Sequence, residues 1–237
     1  MVDDDEFRGE MPDTRTRLIL VAERLFGERG IDAVPLREIV AASGQRNASA
    51  LGYHIGGREE LVLAILEYRR SKVDARRVAL LAEYAAAGVD MDETAIAACI
   101  ILPLIELMMR DKRGGNYLRF LSQAYVTDRP EAAYRSTGAF DAGMRQCYRL
   151  YRTQHPQIAS ARLRERFAVC CRGAMYAMAD WQRDSSAARS PAPRSPLPAF
   201  AHDLIDVTAS GLASVTAPSH AFKPLATPGA ADLREAG

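Results

Sequence analysis

The stretch TRTRLILVAERLFGERG at residues 14–30, followed by IVAASG at 39–44 and YHIGGREEL at 53–61, decides the fold of this chain. In the first segment, apolar residues recur at the i, i+3, i+4, i+7, i+8 spacing of one helical face, and these are Leu18, Val21, Ala22, Leu25 and Phe26. Gly30 follows, and glycine is common just beyond a helix C-terminus. The pattern predicts a first helix over about 15–29.

Two short helices are predicted next. Pro35 suits the first turn of a helix, because its missing N–H is not needed there, and this helix should end at the Ser43-Gly44 break. Asn47 is a good N-cap for a third helix over about 48–54. Three short helices with a tight turn between the second and third have the geometry of a helix-turn-helix, whose last helix fits a DNA major groove. A plain helical hairpin would give the same spacing.

The rest of the chain is also predicted to be helical. Arg58 opens a long fourth helix that continues to about Ala87, before Gly88. Further helices are expected near 91–110, 115–126, 130–153, 157–184 and 199–216. The fold class is therefore all-α, with an N-terminal three-helix helix-turn-helix domain and a larger C-terminal helical domain.

Changes in composition divide the chain into four parts. Residues 1–13 form an acidic arm that we expect to be flexible, and 14–60 form the helix-turn-helix domain. Residues 61–217 form the larger helical domain, in which the Ser-, Ala- and Pro-rich segment 185–198 reads as an extended loop. Residues 218–237 are expected to be a disordered tail.

The overall composition is that of a water-soluble globular protein, with 48% hydrophobic and 26% charged residues. The net charge is only +1, so a nucleic-acid surface has to be a local patch. Residues 14–58 supply one, since they carry seven arginines against four acidic residues. The chain has no secretory signal pattern, and its most apolar run, 95–109, is too short to span a bilayer. We expect a cytoplasmic protein without a membrane segment.

Neither the cysteines nor the histidines are spaced as a metal site. The four cysteines lack CxxC spacing, and the four histidines are widely scattered. No Ser-His-Asp or Cys-His grouping stands out from chance. We therefore expect no metal, no cofactor and no catalytic site.

The three quoted segments together resemble the DNA-binding part of TetR-family transcriptional regulators, over about residues 14–66. Their order and spacing nearly match the family, and Tyr53-His54 resembles the Tyr-His pair of one large subgroup. Three features differ: the turn at 45–47 is one residue longer, Ile55 stands where phenylalanine is usual, and Gly52 stands where many members carry tyrosine. The rest of the chain resembles the family only in being helical.

The resemblance implies which residues meet double-stranded operator DNA. Those placed at or near base edges are Arg46, Asn47, Ser49 and Ala50, with Gly52 on the same exposed face, and those placed at phosphates are Tyr53, His54 and Arg58. Their chemistry is suitable, because arginine pairs with guanine and asparagine with adenine, while tyrosine and histidine suit phosphate oxygens. Simpler roles stay open: Asn47 as a helix cap, Tyr53 as a packed ring, and Arg58 as an ion-pair partner of Glu59 or Glu60.

The resemblance also implies a cavity for a small-molecule effector in the C-terminal domain. Large, adaptable apolar side chains that could line it are Met108, Tyr117, Phe120, Met144, Tyr148, Met175, Met178 and Trp181. A filled helical core would use the same residues.

These observations predict a homodimeric regulator, a repressor that an apolar or amphipathic ligand releases from a palindromic operator. The dimer interface is expected from the helices near 157–184 and 199–216. An all-helical small-molecule-binding enzyme and a protein-interaction scaffold are the alternatives, and activation instead of repression is also open.

Overall fold

The computed structural model describes residues 13–45, 49–110, 114–126, 141–187 and 198–214. Within these ranges the chain folds into helices without any strand, which confirms the all-α prediction. The helices are α1 Thr14–Arg29, α2 Leu36–Ala42, α3 Ser49–His54, α4 Arg58–Ala86, α5 Glu93–Arg110, α6 Gly114–Val126, α7 Ala142–Gln154, α8 Ser160–Ala187 and α9 Ala199–Ala213.

Asp13 caps the first helix. Its carboxylate accepts hydrogen bonds from the Thr16 backbone N–H at 2.8 Å and from the Thr16 hydroxyl at 3.1 Å. The bond from the backbone N–H is the main reason that the pKa of Asp13 lies below its ordinary value. Asp13, the last residue of the acidic arm that the composition predicts, is thus the N-cap of α1, because its side chain satisfies a helix N–H that would otherwise lack a partner.

The turn after α2 is built as the sequence predicts. The Ser43 hydroxyl donates to the Val40 carbonyl at 2.7 Å, and Gly44 has φ of +75°, a conformation that glycine adopts without strain. α3 follows from Ser49, whereas Asn47 and Ala48, the expected cap and first residue of that helix, lie outside the described residues.

Two predicted boundaries differ from those observed. α8 runs to Ala187, so residues 185–187, which the composition assigns to the loop, are helical. Serine and alanine can extend a helix, and Pro191 is the first proline in this segment. The last helix ends at Ala213 and not near 216. The start of the helix expected at 130, most of the loop, the arm at 1–12 and the tail at 218–237 lie outside the described residues.

The long helix α4 links the two parts of the chain. It packs against α1 of the N-terminal part and against α5 and α7 of the larger part. Arg69 of α4 makes a bidentate ion pair with Glu23 of α1, at 2.7 and 2.8 Å, and both side chains are only 1% exposed. None of the described helices is long and apolar enough to cross a membrane.

Candidate DNA-binding surface and ligand cavity

Tyr53 and His54 stand at the C-terminal end of α3, on its solvent side. The Tyr53 side chain is 86% exposed, and its ring meets the exposed His54 ring edge-on, with centroids 5.0 Å apart. An exposure of this size does not fit the alternative in which Tyr53 packs its ring into the core. Both polar groups are accessible to a large polyanion such as DNA.

Gly52 leaves the backbone of α3 open. A Cβ atom built on Gly52 would meet no described atom within 4 Å, and the residue is exposed. Another macromolecule can therefore approach this part of the helix more closely than any side chain would allow. Ser49 and Ala50 lie in the first turn of the same helix, while Arg46 lies outside the described residues.

Arg58 is partly exposed and contacts two residues of the N-terminal part. Its guanidinium donates a hydrogen bond to the backbone carbonyl of Ile31, and it lies over the Phe26 ring, 5.8 Å from the centroid. Glu60, a possible ion-pair partner, instead accepts from the Gly57 backbone N–H at 2.9 Å. The geometry gives Arg58 a structural role, tying the start of α4 to the end of α1 and the segment after it.

A second candidate site is a cavity of about 1130 Å³ between α4, α5, α6, α7 and α8. Its volume is at or above the roughly 300–1,000 Å³ that small-molecule sites occupy. Much of its wall is apolar, formed by Val73, Ile100, Leu104, Leu121, Phe167, Ala168 and Ala174 together with aromatic and methionine side chains.

The structure brings five of the eight sequence-predicted pocket residues to this wall, and they are Tyr117, Met144, Tyr148, Met175 and Met178. The other three lie elsewhere. Phe120 stacks on Phe26 of α1 with centroids 6.3 Å apart, Trp181 stacks on Phe200 of α9 at 5.0 Å, and Met108 is buried in the core.

Sequence reasoning missed the contribution of α4 to the cavity. Arg70, Val73, Asp74 and Arg77 line it, and their i, i+3, i+4, i+7 spacing is that of a helix face turned inward. The signal was hidden because three of the four are charged, and charged side chains are ordinarily assigned to the solvent side.

Two ion pairs make these charges tolerable inside the protein. Arg77 pairs with Asp74 at 3.1 Å, and Arg70 pairs with Asp141 at 2.8 Å. Asp74 also accepts the backbone N–H groups of Gly143 and Met144 at the start of α7, at 3.1 and 3.3 Å. The charged network therefore fixes α7 to α4 along one side of the cavity.

Burial affects two uncharged groups of the wall, the Cys171 thiol and the Tyr117 phenol. Desolvation raises the pKa of the Cys171 thiol to about 12 and also raises the pKa of the Tyr117 phenol. A thiol with a raised pKa is a poor nucleophile at neutral pH, so this residue adds apolar surface and not reactivity.

A short third helix with an exposed C-terminal end, joined by the long α4 to a cavity-bearing helical part, is typical of a helix-turn-helix DNA-binding transcriptional regulator. Two family models match the sequence and identify its family. The model described as bacterial regulatory proteins, tetR family, matches residues 18–65, and the model described as tetracyclin repressor-like, C-terminal domain, matches residues 98–211. The chain belongs to the TetR family, as the resemblance predicted. A comparison with curated proteins found no match.

Proposed function

We propose that the protein is a repressor that binds a palindromic operator as a homodimer and leaves it when a small amphipathic molecule enters the cavity. One observation carries the proposal: α6 lines the cavity with Tyr117 and, through the adjacent Phe120, packs against Phe26 in the helix-turn-helix part. A ligand that shifts α6 from the cavity side would therefore also shift α1 in the DNA-binding part.

On the operator, α3 lies in the major groove. The Tyr53 hydroxyl and His54 contact phosphates, which position the protein but carry no sequence information. The bases are read by Arg46, Asn47, Ser49 and Ala50, as the family resemblance implies. Arg58 holds the junction behind this surface, as its bond to Ile31 supports.

The dimer forms through α8 and α9, packed as a four-helix bundle across a two-fold axis. Val169 of α8 and Val207 of α9 are 59% and 70% exposed, and they offer apolar surface that a partner chain would cover. Gly173, one turn from Val169, has open space where a side chain would be, so a partner helix can come close. Light scattering should give the mass of two chains at micromolar concentration, and a monomer would contradict the interface.

A matched pair of variants tests where that interface lies. Val207→Asp places a charge in the proposed bundle and should dissociate the dimer. Val78→Asp changes an exposed valine of α4, outside α8 and α9, and should leave the dimer intact.

Release follows from the geometry of a two-fold protein on a duplex. The half-sites of such an operator lie roughly 34–36 Å apart, so a shift of α4 and α6 that changes the separation of the two heads loses contacts in one half-site. A coupling of about 1–3 kcal/mol is enough for a several-fold to hundred-fold loss of affinity. Filling the cavity by Met178→Trp should weaken this response before it weakens DNA binding.

The alternatives from the sequence were a helical enzyme and a protein scaffold. Family membership favours the regulator, which works in the cytoplasm beside the DNA. Selection of bound duplexes from DNA flanking its gene tests the proposal, and footprinting should then show two related half-sites about one helical turn apart. Recovery of unrelated sequences with no common half-site would contradict it.

A further inference from the structure

We propose that the cavity takes a molecule with an apolar chain and an anionic headgroup, and that Arg145, Arg149 and Arg172 bind that headgroup. The inference concerns the ligand of the site described above and rests on the proposed function only in calling that ligand an effector.

The cavity wall carries more positive than negative charge. Five arginines and two aspartates are among the described residues that line the cavity. Arg70 is matched by Asp141 and Arg77 by Asp74, so the two acidic groups are already taken. Arg145, Arg149 and Arg172 form no ion pair with a described residue, which leaves three positive charges on the wall in excess.

The three arginines without an ion pair among the described residues lie on two neighbouring helices. Arg145 and Arg149 are one helical turn apart on α7, and so point to the same side. Arg172 belongs to α8, which packs against α7. All three arginines line the cavity and are also exposed, so they lie at its solvent side. Met144 and Tyr148 of α7 line the cavity beside them.

Three arginines placed in this way favour the binding of an anion. Like charges that share one edge repel each other, and an anion bound between them removes that repulsion. Guanidinium groups bind carboxylates and phosphates through two parallel N–H bonds, which gives both strength and direction. The apolar lining residues Val73, Leu104, Leu121 and Phe167 suit a hydrocarbon chain, and the remaining arginines of the wall, Arg70 and Arg77, are already paired with Asp141 and Asp74. The site therefore fits an amphipathic anion with its head at the arginines and its chain inward.

Simple twelve-carbon compounds, titrated into the full chain without DNA by calorimetry below their micelle-forming concentrations, test this assignment. Dodecanoate and dodecyl phosphate carry the proposed headgroup, dodecan-1-ol has no charge, and dodecylamine has the opposite charge. We expect at least one of the two anions to bind about tenfold or more tightly than the alcohol, and the amine to bind most weakly.

Variants identify the residues responsible. Arg145→Gln combined with Arg149→Gln, and Arg172→Gln alone, should each weaken binding of the anion about tenfold or more and leave the alcohol unchanged. Arg152→Gln on α7 and Arg164→Gln on α8 are matched controls, since both residues are exposed but lie outside the cavity lining, and they should change nothing. All of these side chains are exposed, and thermal unfolding checks that each variant is folded.

The proposal is overturned if none of the four compounds binds, if the alcohol or the amine binds as tightly as both anions, or if the Arg145→Gln/Arg149→Gln variant and the Arg172→Gln variant both keep the affinity for the anion. Preference for the phosphate over the carboxylate, or the reverse, supports the site and identifies the headgroup. Because no DNA is present, an anion that binds here but fails to release an operator would contradict the proposed function and leave this assignment intact.

Discussion

Gly27 of α1 lies against the backbone of Asn116 in α6, so closely that a Cβ atom at position 27 would be only 2.7 Å from the Asn116 carbonyl oxygen. The same Cβ would lie 3.1 Å from the Phe120 backbone nitrogen. At this point the helix-turn-helix part and the cavity-bearing part meet backbone to backbone, beside the stacked rings of Phe26 and Phe120. A displacement of α6 has to displace α1 as well.

Replacement of Gly27 by alanine should separate the two helices, because the obstructing atoms are mainly backbone and cannot move aside. We expect a loss of about 1–3 kcal/mol in the free energy of unfolding, measured with urea, together with weaker operator binding. Gly52→Ala is the matched control for stability: that helical position is open, and alanine should leave stability unchanged or raise it by about 0.5–1 kcal/mol. Equal stability of the two variants would show that α1 and α6 are not in tight contact.

The buried pair of Glu23 and Arg69 gives a second prediction. Removal of either partner leaves an uncompensated charge in the core, so Glu23→Ala or Arg69→Ala alone should cost about 3–5 kcal/mol. The double change Glu23→Leu with Arg69→Met removes both charges and should cost far less than the sum of the single changes. A double-mutant cycle of urea unfolding measures the difference, and additive losses would argue against a coupled pair.

Tyr53→Phe should weaken binding to every duplex by a similar factor. The lost hydroxyl is an uncharged donor to a phosphate oxygen, worth about 0.5–1.5 kcal/mol, and base preference should be unchanged. Tyr84→Phe is the control, since Tyr84 lies about 39 Å along α4 from its start at 1.5 Å per residue. Competition titrations with operator and scrambled DNA compare the two. A change of preference at one base pair would assign Tyr53 to base reading.

Arg58→Ala should affect stability in addition to DNA binding. The variant loses the bond to the Ile31 carbonyl and the contact with the Phe26 ring, and a charged hydrogen bond is worth about 1.5–3 kcal/mol. Thermal and urea unfolding of the DNA-free protein measure the loss. Unchanged stability together with reduced affinity for all duplexes would instead assign Arg58 to the phosphate contact that the family resemblance implies.

The parts of the fold that the sequence predicted best are those set by local rules. The ends of α1, α2 and α4 follow from apolar spacing, the Gly44 turn and the glycines before Arg58, all of which act within a few residues. Asp13 shows the limit of even these rules, since capping makes an acidic residue part of a helix that composition would assign to the arm.

The parts that could not be predicted depend on partners distant in the sequence. Arg58 turns inward because Ile31, 27 residues earlier, offers a carbonyl there. Arg77 is acceptable on a cavity wall because the Cys99 and Ile100 carbonyls, more than 20 residues later, accept hydrogen bonds from its guanidinium. Phe120 and Trp181 resemble pocket residues in the sequence, but the rings of Phe26 and Phe200 cover them. No spacing rule contains this information.

Fluorescence anisotropy tests whether this chain binds one DNA sequence in preference to others. The labelled probe is the duplex selected from DNA flanking its gene, titrated at several salt concentrations against a scrambled duplex of the same length. The account predicts that the selected duplex binds about a thousandfold or more tightly than the scrambled one, and that affinity falls steeply as salt rises. Equal affinity for the two duplexes across the salt series would contradict it.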